Sequence, residues 1–434
     1  MRWLSSRMRV ASRLRGERGG VAVIAAVLFS GMAIIGMLAV SVDLGNLTYE
    51  RRQLQNGADS TSLALAQECA ADPARCDPGE VEELLPSNAR DNAMQYDSRA
   101  DAGNGACGRG DTTQVGSLPK CASTDSDVDI TELGECPAIP QWLKDAPTIP
   151  YVETYSRTET TTGDDALFLP FSRVLAGGPD GDRGTTACAR AAWGVPTGFA
   201  RALPLTFSSC EWKRQIDPPG GGYVTEGPVG ATSTNPGYGG TGQPAWPSAS
   251  QEVVIMMHDP NNEDRDCGWN GKDTSGGFGW LAPASGKCEV DLKPDDWAQI
   301  KPGASIPSEC GTALPQIRHR VIDLPVFDCI VGSASAPTGP PPTTPADVCD
   351  PKSSLAGGSK SWYHLAGWAQ FYISGYRLTG TDSGTSSRPG GKSCSGGDRC
   401  LIGWFMTGTL SDAPSIAAPG SGNDFGVNVI KPAG

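Results

Sequence analysis

Fourteen cysteines say most about the chemistry open to this chain: Cys69, Cys76, Cys107, Cys121, Cys136, Cys188, Cys210, Cys267, Cys288, Cys310, Cys329, Cys349, Cys394 and Cys400. All of them follow an apolar run that ends at Val42. An even count on one side of such a run predicts disulfides formed in an oxidising compartment. The rival is a metal centre. No C-x-x-C occurs, and the three histidines, His258, His319 and His364, are far apart. Zinc sites usually show close ligand pairs, so no metal site is predicted. Cys69–Cys76 and Cys394–Cys400 are the local pairs easiest to propose. Sequence leaves the remaining connectivity open.

Other chemistry fails on spacing. Gly391-Lys392-Ser393 ends like a phosphate loop, but the glycine needed five residues earlier is Ser386. No nucleotide is expected. His258-Asp259 resembles a hydrolase dyad, yet no G-x-S-x-G accompanies it. Asp125, Asp127 and Asp129 alternate like calcium ligands. Ile130 and Cys136 then stand where a calcium loop of the EF-hand type places glycine and glutamate. Arg109-Gly110-Asp111 spells an adhesion tripeptide of the kind that chance produces. Trp362, Tyr363, Trp368, Phe371, Tyr372 and Tyr376, with Trp404 and Phe405, form an aromatic group. Such a group suits a core or protein interface; a carbohydrate face is the alternative. No catalytic residue, cofactor or metal is predicted, and the chain reads as a non-enzyme.

The elements that position these residues begin with an anchor. Residues 19–42 carry no charge, and about 20 apolar residues span a bilayer core as a helix. Six arginines stand against Glu17 in residues 1–18, a net of +5. With −13 overall, the remainder carries −18. Basic flank inside and acidic body outside is the expected orientation. A cleaved signal peptide is the competing reading, but its apolar core is usually shorter, about 7–15 residues. Ala22, Ala26 and Ser30 recur every four positions, as in membrane packing seams and in ordinary membrane composition. An acidic body is a poor partner for nucleic acid.

Asp43 marks the outer boundary, because a carboxylate deep in lipid is costly. Helical spacing continues beyond it. Leu44, Leu47, Leu54, Ala58 and Leu65 form a stripe broken at Arg51. A rod from about residue 20 to 67 would be about 70 Å long. Its stripe needs a partner, either the protein's own domain or other helices.

The expected class is α+β: a long N-terminal transmembrane helix extending outward, then a disulfide-rich, mostly β region with long Gly/Pro loops. Residues 1–18 are a basic cytoplasmic segment, 19–42 the span and 43–68 a helical extension. Residues 69–216 form an α+β module. In it 80–96 and 165–178 read as helices, and 152–162, 185–194 and 203–212 as strands. Residues 217–250 are a Gly/Pro-rich linker or loop. Residues 251–434 are β-rich, with strands near 252–257, 319–331, 363–378, 400–410 and 425–431.

Residues 17–66 resemble the N-terminal segment of TadE/TadG-like proteins, membrane-anchored components of tight-adherence (Flp) pilus assembly. The resemblance is carried by Glu17-Arg18-Gly19, Val42-Asp43-Leu44-Gly45, Arg51-Arg52-Gln53-Leu54-Gln55-Asn56 and Ala58-Asp59. The stretches FSRVLAGG, TTACARAAWG and LPLTFSSCEW look like the body of actinobacterial TadG-type proteins. The resemblance implies a non-enzymatic assembly role, with the membrane and pilins or other assembly proteins as partners. Asp43, Leu44, Leu47, Arg51, Arg52, Leu54 and Leu65 would be its interaction residues. Two departures limit it. The D-x-S-x-S motif of some TadG proteins has Gly384 in place of serine within Asp382–Ser386. Cutting after Gly20, as prepilin peptidase would, leaves Ala25 where a glutamate belongs. A cell-surface glycan- or protein-binding module and an extracytoplasmic hydrolase are the alternatives.

Overall fold

The computed structural model describes residues 4–77, 106–109, 115–118, 121, 136–158, 169, 171–172, 184–197, 200–225, 227–232, 234–257, 278–283, 286–292, 294–301, 306–311, 316–339, 361–379, 382–395, 399–410, 416–418 and 424–434. The expected helix at 80–96, the acidic triplet, His258, Cys267 and Cys349 lie outside them. So does the expected helix at 165–178, apart from Leu169, Phe171 and Ser172.

One helix, α1 (Leu4–Ala71), runs through the basic end, the apolar run and the stripe without interruption. Proline first appears at Pro73, where Asp72 caps a 3-10 turn by accepting from Ala74 N at 2.9 Å. That turn ends the helix, since proline cannot continue it. After α1 the described chain is mostly β, so the class is α+β as expected.

The first sheet is built on β1 (Ala106–Arg109), β2 (Tyr151–Arg157) and β3 (Thr186–Pro196). Three strands from the far end of the chain complete it: β13 (Gly408–Thr409), β14 (Ile416–Ala417) and β15 (Val427–Pro432). In it β15 pairs antiparallel with β3, Val429 opposite Gly194.

The second sheet gathers β5 (Leu205–Ser208), β6 (Val253–Met257), β7 (Phe278–Trp280), β9 (Trp297–Gln299), β10 (Val321–Gly332), β11 (Ser361–Arg377) and β12 (Arg399–Met406). Here β5 lies parallel to β10, Phe207 opposite Val326. A small ladder joins β4 (Ala200–Ala202) to β8 (Val290–Leu292). The expected strand at 203–212 stops at Ser208 and becomes helix α3 (Ser209–Ile216); the short α2 (Gln141–Lys144) lies earlier in the chain. The Gln215 amide of α3 donates to Phe405 O at 2.7 Å and accepts from Phe405 N at 2.6 Å. A helical side chain thus serves as a ladder partner for β12.

Strand β11 is buried along most of its length because both faces are covered. On one face Phe207, Phe371 and Phe405 meet edge-on, with centroids 4.9–5.7 Å apart. On part of the other, Tyr372 and Trp404 lie under Tyr238 and Trp246, which come from the Gly/Pro-rich 217–250 segment. Gly239 has φ +71°, a left-handed geometry that favours glycine. A Cβ there would also stand 2.5 Å from Trp246 Nε1. Tyr372 Oη donates to Pro236 O at 2.6 Å, and Trp404 Nε1 to Ser248 O at 3.2 Å, fixing the cover.

Five disulfides join described cysteines: Cys69–Cys76, Cys107–Cys121, Cys136–Cys188, Cys288–Cys310 and Cys394–Cys400. Both expected local pairs are among them. Cys329 is disulfide-bonded as well.

Candidate functional site

The distinctive surface is α1 and what covers it. Ala39, Asp43, Glu50, Leu54, Ala58, Thr61, Leu65 and Cys69 are buried, and Leu47 is half-buried. Their spacings of three, four and seven trace one stripe on a helix. This stripe passes through Glu50 rather than Arg51, so it has no break. It also passes Leu44 by, leaving that residue 61% exposed.

From Leu54 to Cys69 the stripe lies on the first sheet, against Ala106, Val152, Ala187, Ala191 and Trp193. Small residues on the helix, Gly57, Ala58, Thr61 and Ser62, allow a close approach. Hydroxyls of the sheet then reach helix carbonyls: Thr154 Oγ1 donates to Ala58 O at 2.9 Å and Ser156 Oγ to Leu54 O at 3.1 Å. In return Gln55 Nε2 donates to Cys188 O at 3.0 Å. At the far end Asn428 Nδ2 of β15 donates to Ala70 O at 3.2 Å, and Cys69–Cys76 closes the turn after α1.

At the near end Asp43 is 4% exposed, and its Oδ2 accepts from Ser172 N at 2.5 Å. Its Oδ1 is buried with no partner among the described residues. Asp43→Ala would leave the Ser172 N–H without its acceptor, at a cost of about 1–3 kcal/mol. Faster amide exchange at Leu169, Phe171 and Ser172, with α1 protection beyond Leu54 unchanged, is the expected result. Unaltered exchange there would mean that the contact does not hold the segment.

The interaction residues expected from sequence therefore divide. Leu54 and Leu65 are in the protein's own core. Asp43 faces the folded region, Leu47 stands at its edge, and Leu44, Arg51 and Arg52 are exposed. Sequence reasoning misses Glu50, although it stands one helical repeat beyond Asp43 on the same side.

Elsewhere the motifs have structural partners. Lys392 N, in the phosphate-loop echo, donates to Glu252 Oε2 at 2.7 Å. Glu252 is fully buried and also accepts from Ser374 and Ser386. Asp382 Oδ2 caps a turn by accepting from Leu378 N and Thr379 N at 2.8 and 2.6 Å. His364 Nδ1 lies 2.7 Å from Asp328 Oδ1, and His319 Nδ1 lies 2.8 Å from Thr232 O. Tyr363, Trp368, Phe371, Tyr372, Trp404 and Phe405 are all buried, and Trp362 and Tyr376 half-buried. Among the described residues, most of the aromatic group is core.

By length and composition α1 is a candidate membrane anchor. Val23, Ile24, Val27, Leu28, Phe29, Ile34, Met37 and Leu38 are exposed along it. Residues 19–68 match the Tad family model, described as "Putative Flp pilus-assembly TadE/G-like". No curated protein and no solved structure matches the chain. The family match covers the apolar run and most of the docked helix, and it supports involvement in Flp pilus assembly.

Proposed function

We propose that the chain is a non-enzymatic, membrane-anchored component of Flp pilus assembly, acting through helix packing and an outer contact surface. Residues 1–18 stay in the cytoplasm, 19–42 cross the membrane once, and the cystine-bearing body stands outside. The carrying observation is that the family match at 19–68 coincides with a helix that is apolar and uncovered at one end and fused to a folded body at the other. An uncovered apolar surface is available for lateral packing against pilins or other span-bearing assembly proteins. Because Leu54 and Leu65 already hold the body to the helix, the surface left for partners is the span itself and the exposed flank at Leu44.

Deleting the gene and imaging surface pili tests this directly. Pili should be lost and restored by the full chain. Complementation with residues 19–42 replaced by an unrelated apolar segment should place the protein in the membrane without restoring pili. A deletion strain with normal pili would sink the proposal. Full rescue by the replaced segment would reduce the span to an anchor.

A further inference from the structure

A span of 24 residues is about 36 Å long as a straight helix, against a hydrocarbon core of about 30 Å. With residues 19–42 as the span, the reading proposed above and required here, Asp43 stands at the outer edge of the hydrocarbon core and the excess length lies at the cytoplasmic end. Ala39, in the last turn of that span, is already buried by the protein's own chain. The folded body comes down to the bilayer with no linker between them.

Phe171 is 39% exposed at this level, and its neighbour Ser172 is bonded to Asp43. Tyr49 is 62% exposed, and Arg51 and Arg52 are exposed too. The Tyr49 Cα lies about 9 Å beyond Asp43, and those of Arg51 and Arg52 about 12–14 Å beyond. Helical side chains lean toward the N-terminus, here the membrane side. A tyrosine ring reaching back about 6 Å, or an arginine reaching about 7 Å, enters a headgroup layer about 5–8 Å thick. Around the axis, at about 100° per residue, Arg51, Arg52 and Tyr49 fall about 80°, 180° and 240° from Asp43. Phe171 stands on the Asp43 side. The four encircle the helix.

We propose that Phe171, Tyr49, Arg51 and Arg52 form a collar that seats the folded body in the phospholipid headgroup layer. The chemistry matches in kind: aromatic rings favour the polar–apolar boundary, and guanidinium groups pair with lipid phosphates. With contacts on all sides of α1, the collar fixes the tilt and height of the body above the bilayer.

The test uses the full chain in vesicles of phosphatidylethanolamine and phosphatidylglycerol. A fluorescent non-canonical residue is placed singly at Phe171, Tyr49, Phe29 or Gln67, and nitroxide lipids quench at the headgroup or deep in the acyl chains. Phe29 should lose emission to the deep quencher, Phe171 and Tyr49 to the headgroup quencher, and Gln67 to neither. R51Q/R52Q, at exposed positions, should weaken headgroup quenching at Tyr49. Deep quenching at Phe29 with Phe171 and Tyr49 as silent as Gln67 would overturn the collar and leave the span intact. Silence at Phe29 would overturn the span, and the collar with it. Unchanged quenching at Tyr49 in R51Q/R52Q would remove the arginines from the proposal.

Discussion

Arg190→Met should destabilise the folded body by about 3–5 kcal/mol, the cost of stripping one partner from a buried ion pair. Arg190 and Glu153 are each 3% exposed on adjacent strands. Arg190 Nε donates to Glu153 Oε1 at 2.7 Å, and Nη2 donates to the same oxygen. Nη1 donates at 3.2 Å to both Pro137 O and Ala433 O, and Tyr155 Oη donates to Glu153 Oε2. Methionine fills much of the volume and bonds none of these groups, so a carboxylate is left buried beside two unpaired carbonyls. Chemical unfolding of the detergent-solubilised chain measures the loss. Arg190→Met combined with Glu153→Met should be less destabilised than the two single changes added together, because the second removes the stranded charge. Strict additivity would show that the two groups do not act as a pair.

Trp368→Ala should cost a similar amount, about 3–5 kcal/mol, through the cavity left by a large buried ring. Trp368 is 1% exposed and packs with Phe327, Tyr363, Leu365 and Val427. Trp368→Phe should cost much less, since most of the apolar volume remains. If the ring instead belonged to a glycan-binding face, Trp368→Ala would abolish binding with the unfolding midpoint unchanged. That outcome would contradict its burial.

The residues that can be read correctly from sequence are those whose signal is local. Runs of apolar and aromatic residues at 319–331 and 363–378, bounded by turn-rich stretches, mark β10 and β11, and cysteines six or seven apart close on each other. The apolar run and the Leu54, Ala58 and Leu65 spacing mark a helix with one side covered. The choice of partner is not local. Nothing in FGVNVIK says that it pairs with β3 across the whole second sheet, or that LTFS leaves its neighbours for β10. The Cys136–Cys188 bridge is hidden for the same reason. Polarity masks the place of Glu50 and Asp43 on the buried stripe, since a search for apolar stripes passes over carboxylates. The glycines and prolines of 217–250 signal a loop, while Tyr238 and Trp246, which make it a cover, weigh little in composition.

The pairing of β15 with β3 has a consequence in time. The seat on which α1 rests is finished by a strand from the far end of the chain, and contacts so distant in sequence form slowly. If the body is exported N-terminus first, α1 enters the bilayer long before its outer stripe has a complete surface to lie on. During that interval Leu54 and Leu65 are uncovered beside a membrane crowded with other apolar helices. A chaperone, or rapid partner capture, is then most needed early in folding, and clipping of the last strand would leave α1 on an incomplete seat.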